Sequence, residues 1–167
     1  NLGSEIFDLL ISIIERKPDR YLLESMVTPL SNLATDNTVS LKTRVNALRA
    51  ISLIAKQIDI KDTVEIEWVF NLLLQLVTDV KLSSDIRIDA LGVLRYICNY
   101  FSLNPLIEEG IVGTLLALAQ DGNEPPGVRG NALSVVETIF YDSRVSPYIK
   151  ENTVEPLLNI AMSGDSC

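Results

Sequence analysis

No histidine occurs anywhere in this chain, and its two cysteines, Cys98 and Cys167, lie far apart in sequence. That removes Ser-His-Asp and Cys-His nucleophilic sites, which need an imidazole base, and every zinc site built with histidine. Two thiolates cannot close a four-thiolate zinc site either. The glycine motifs that cradle phosphates are missing. "DGNEPPGVRGNA" (121–132) alternates Asp121 and Asn123 as a calcium loop would. Its sixth residue is Pro126 where the sharp turn needs glycine, and its twelfth is Ala132 where a bidentate glutamate is needed, so calcium binding is rejected. Glu108 and Glu109 are adjacent carboxylates, and neighbours on a helix diverge; they read as a solvated corner. What remains is a recurring pair of charges. Asp36, Asp79 and Asp121 each stand eight residues before Arg44, Arg87 and Arg129. The aspartates read as caps of turns, and the arginines as partners of those aspartates or of the next repeat.

The elements carrying these charges repeat. Ala47, Ala90 and Ala132 stand 43 and 42 residues apart, each preceded by Asn or Asp (Asn46, Asp89, Asn131) and followed by leucine (Leu48, Leu91, Leu133). Apolar residues follow at helical spacing: Ala50, Ile51 and Ile54; Val93, Leu94 and Ile97; Val135, Val136 and Ile139. Cys98 falls on the same apolar side and reads as core. A second helix family, "VTPLSNLATD", "FNLLLQLVTD", "VGTLLALAQD" and "VEPLLNIAMS", starts at 27, 70, 112 and 154 with the same period. Two independent features on one period mark stacked helical repeats. The turns between them are polar, and Pro105 and Pro147 mark where helices restart. Gly110 and Asn152, 42 apart, are expected to make tight corners before the next helix. "SEIFDLLISIIER" reads as the last helix of a preceding repeat, and the final helix runs to about Met162. Both ends are therefore expected to leave apolar faces uncovered.

The expected fold is all-α: a right-handed α-solenoid of three to four stacked repeats of period 42–43, truncated at both ends. Residues 1–20 hold the preceding helix; 21–57, 58–102 and 103–142 are successive repeats; 143–167 begin another. With 47% apolar content the chain can bury a real core. "VFNLLLQLV" is interrupted by Asn71 and Gln75, so no membrane span is expected, and no basic leader suggests a signal peptide. The cysteine usage points to a reducing compartment, cytoplasmic or nuclear. The net charge of −8 is uneven: residues 1–61 hold eight basic and seven acidic side chains, residues 101–167 three and nine. Such an acidic third disfavours nucleic acid and suits a basic protein segment.

"GIVGTLLALA" (110–119) and "VRGNALSVV" (128–136) resemble the armadillo repeat over nearly the whole chain, with HEAT-like features in the Asp…Val-Arg start. The resemblance implies three helices per repeat, with "NPLIEEGIV" supplying a short first helix and the third helices lining a concave groove. In importin-alpha-type armadillo proteins an asparagine six residues after the alanine clamps peptide backbone, and a tryptophan two residues after it forms pockets. Here those sites hold Leu53, Tyr96 and Thr138, and Arg49, Gly92 and Ser134. That clamp is not written in this chain. The candidate groove residues are Arg49, Leu53 and Lys56; Arg95, Tyr96, Asn99 and Tyr100; and Ser134, Thr138, Tyr141 and Asp142. Tyrosine and arginine are favoured at binding hot spots. The expected function is a non-enzymatic scaffold without cofactors that binds a protein or peptide in the groove. The alternatives are an Hsp70-type nucleotide-exchange factor, or a structural segment that self-associates or assembles through its uncovered ends.

Overall fold

The computed structural model describes residues 2–57, 63–100, 105–142 and 145–164. Among them are eight helices and no strand: α1 (Leu2–Glu15), α2 (Arg20–Thr35), α3 (Leu41–Gln57), α4 (Thr63–Thr78), α5 (Ser84–Tyr100), α6 (Pro105–Gln120), α7 (Pro126–Tyr141) and α8 (Pro147–Gly164). The chain divides into two compact units, Asn1–Gln75 and Leu76–Cys167. In the first, α3 packs against both α1 and α2. In the second, α7 packs against α5 and α6, and α6 against α8.

Local chemistry sets the helix starts. The Asp19 carboxylate accepts the Leu22 backbone N–H at 3.0 Å at the head of α2, and the Ser40 hydroxyl accepts the Thr43 N–H at 3.1 Å at the head of α3. α6, α7 and α8 open on Pro105, Pro126 and Pro147, where a missing N–H costs nothing because the first turn has no partner for it. Between α1 and α2, Lys17 takes a left-handed φ of 53° and ends α1.

The repeated alanines explain themselves by packing. Ala47, Ala90 and Ala132 are fully buried, so a helix neighbour can approach closely there. The stripe residues expected to face inward do so: Ile51, Ile54, Leu94, Ile97, Val136 and Ile139 are all buried, each worth about 1.5–3 kcal/mol on the usual transfer scale. Gly127 serves the same closeness at the foot of α7, where a β-carbon would stand 3.0 Å from the Ile88 side chain of α5.

Two expectations are corrected. Gly110 lies inside α6 and Asn152 inside α8, so neither makes a corner, and no short separate helix covers "NPLIEEGIV" from Pro105 onward. The prolines have already started these helices, and no described glycine takes a positive φ that would break them. Pro29 and Pro156 also lie inside helices, in α2 and α8. Each lacks the N–H that would bond to the carbonyl four residues back, yet both helices continue.

Candidate partner-binding face

The Asp and Arg residues position everything else, and they do so separately. Asp36, Asp79 and Asp121 each accept a backbone N–H two residues ahead, from Thr38 (2.8 Å), Lys81 (3.0 Å) and Asn123 (2.9 Å). These are Asx turns that hold the exit of α2, α4 and α6. The Thr38 hydroxyl adds a 2.7 Å bond to Asp36 and is the main reason that carboxyl titrates below its usual range; the Thr38 N–H and then Arg44 add to it. The arginines bypass these carboxylates. Nε of Arg44, Arg87 and Arg129 donates to the carbonyl ten residues back, Ala34 (2.9 Å), Val77 (2.7 Å) and Ala119 (2.9 Å). Each satisfies a carbonyl left open at a helix end and places a positive charge at the negative pole of the helix dipole.

Among the described residues, the expected pairing with the next repeat is made by Arg87. The two terminal nitrogens of Arg87 grip Glu124 through a bidentate pair, at 2.6 and 2.8 Å. Both residues are buried, 3% and 7% exposed. Sequence reading passed over Glu124 as part of a turn. Its signal was visible: Glu124 occupies the register position that holds Val39 and Leu82 in the other copies, a carboxylate where the pattern calls for an aliphatic side chain.

With the α5–α7 seat fixed this way, the outward residues of the two helices come together. Arg95 Nε donates to the Thr138 hydroxyl at 3.2 Å across the seat. The Tyr96 and Tyr100 rings lie 4.7 Å apart at 50°. Tyr141 meets Phe140 edge-on at 5.8 Å. Tyr100 is 43% and Tyr141 77% exposed, so neither is tucked beneath a neighbouring helix; Arg95 and Asn99 are exposed beside them. The Ser134 and Thr138 hydroxyls bond back to Gly130 and Ser134 carbonyls on their own helix. Asp142 lies past the end of α7, where its N–H caps the helix on the Ile139 carbonyl. Arg49, Leu53 and Lys56 belong to the other unit, on one side of α3; Arg49 and Lys56 are exposed and Leu53 is half-buried.

This surface offers aromatic faces, a guanidinium and an amide, groups suited to recognition. Among the described residues no three acidic or cysteine side chains cluster as metal ligands would, and no helix is long and apolar enough to cross a membrane. No family model, curated protein or solved structure matches the chain.

Proposed function

We propose that this chain is a non-enzymatic protein-interaction scaffold of armadillo-like solenoid form, binding a partner protein or peptide along its third-helix surface. The observation that carries the reading is the continuous face across α5 and α7, with the Tyr96–Tyr100 pair beside the Arg95–Thr138 bridge. Rigid aromatic side chains and an oriented guanidinium provide contact area at low ordering cost. The acidic residues 101–167, nine acidic against three basic, favour a partner with a basic segment.

The test compares partners captured by the wild-type chain and by a folded Arg49/Tyr96/Tyr141 triple-alanine variant. Hot-spot truncations of this kind cost on the order of 2 kcal/mol or more, so capture of the true partner should fall at least about thirtyfold. Equal capture by the two proteins rules the face out.

A further inference from the structure

The acid surplus of the second unit lies away from the helices of the third-helix face. α5 carries Asp85 and Asp89 against Arg87 and Arg95, and α7 carries Glu137 against Arg129, an even balance. α6 carries Glu108 and Glu109 with no basic residue, and α8 carries Glu151 and Glu155 against Lys150. Between α6 and α8, which pack against each other, runs a groove of about 290 Å³. Its base is apolar, closed by the buried Leu116 and Ile149. Both helices belong to the family that starts at 27, 70, 112 and 154, so the groove lies between two copies that the chain itself contains.

On the α6 side, Gly113 is exposed, and a β-carbon added there would meet nothing within 4 Å. A chain laid over Gly113 can therefore come close to the helix backbone. The same groove is lined by one carboxylate, Glu109, one open ring, Tyr148 (62% exposed), and two amides, Gln120 and Asn152. Among the described residues, the side chains of Glu109, Gln120 and Asn152 make no hydrogen bond or ion pair, and no lysine or arginine lines the groove. Pro156, also in the lining, has no N–H to give the Asn152 carbonyl. A primary amide both donates and accepts, which is what an extended peptide backbone requires. A carboxylate and an open ring suit a guanidinium, which pairs with the first and stacks on the second; an ammonium does neither as well.

We propose that the α6–α8 groove is a docking site for an extended, arginine-bearing segment of a partner protein. The guanidinium meets Glu109 and the Tyr148 ring, while the segment's backbone passes over Gly113 and is held by Gln120 and Asn152. Charge complementarity selects this occupant: the two helices are acidic, and the groove between them holds a carboxylate and no cation. The site shares no residue with the third-helix face and stands if that reading fails.

The probe is the end-capped peptide Gly-Ser-Ala-Arg-Ala-Ser-Gly, added at millimolar concentration to the intact chain and followed by amide chemical shifts. Saturable changes are expected at Gly113, Gln120 and Asn152. Replacing the peptide's arginine by citrulline, which keeps the shape and loses the charge, should weaken binding about tenfold. Gly113→Lys should weaken it by about as much, because its ammonium stands four residues from Glu109 and fills the groove from within. Lysine is also the better helix former and has open space there, so the fold survives the change. Glu109→Gln should weaken binding, whereas Glu137→Gln, an exposed site on α7 with the same change in net charge, should not. Equal losses from those two variants would reduce the effect to net charge and overturn the proposal. So would the absence of saturable shifts, or undiminished binding to Gly113→Lys. Shifts confined to α5 and α7, and lost in the Arg49/Tyr96/Tyr141 triple-alanine variant, would place the peptide on the third-helix face and overturn it too. Self-association of the unmodified chain in sedimentation that Gly113→Lys abolishes would do the same, since a second copy would then fill the groove.

Discussion

Arg44 in the first unit and Arg87 in the second make the same first bond and differ in the second. Both close a helix-end carbonyl ten residues back with Nε. Arg44 then turns to Asn37 in its own loop, 2.9 Å away and exposed to solvent. Arg87 reaches 37 residues ahead to Glu124 and is buried with it. One arrangement is local and holds a turn; the other ties one repeat to the next. A repeat thus keeps a structural bond constant while varying a single partner position to change what the bond joins.

The largest effect expected follows from breaking the buried member of the comparison. Arg87→Met leaves the Glu124 carboxylate buried without its partner, which costs about 3–5 kcal/mol in urea unfolding. The double variant Arg87→Met/Glu124→Leu should recover most of that loss, because replacing both charges removes the desolvation penalty as well as the attraction. A double variant no more stable than the single would show that the carbonyl bond to Val77, and not the ion pair, holds the seat.

Arg44→Met should cost far less, about 1 kcal/mol, since its partners are a carbonyl and an amide at a partly solvated site. An effect as large as that of Arg87→Met would erase the distinction between local and inter-repeat arginines. The smallest effect concerns Asp36, beside Arg44. Its folded pKa lies below the unfolded one, so its stabilisation is present above the ordinary aspartate range and is lost as pH falls through the lowered value. Stability measured below about pH 4 should therefore fall slightly less in Asp36→Asn than in the wild type. An unchanged acid limb would mean that the Thr38 bonds persist in the unfolded chain.

Much of the fold was legible beforehand. Alanine at a 42–43 residue period, followed by stripes at helical spacing, located α3, α5 and α7, because a buried helix crossing admits only a small side chain. The aspartate turns were also legible, since Asx chemistry is local. The corners expected at Gly110 and Asn152 were not found. Glycine and asparagine permit a left-handed backbone but do not require one, and the prolines upstream had already committed the chain to helix.

The candidate face divides the same way. Spacing alone put Arg95, Tyr96, Asn99 and Tyr100 on the outward side of one helix and Ser134, Thr138 and Tyr141 on that of another. Their meeting across the Arg95–Thr138 bond depended on the seat between α5 and α7. What the sequence by itself determined was the period, read by comparing copies, and the helices, their inward stripes and their turn chemistry, which are set by local interactions. Only the tertiary structure decided that the arginines hydrogen-bond carbonyls and not the aspartates, that Glu124 is the partner of Arg87, and that Leu133 and Phe140 line an open recess. Those outcomes depend on which side chains meet across tens of residues, and no local spacing encodes that distance.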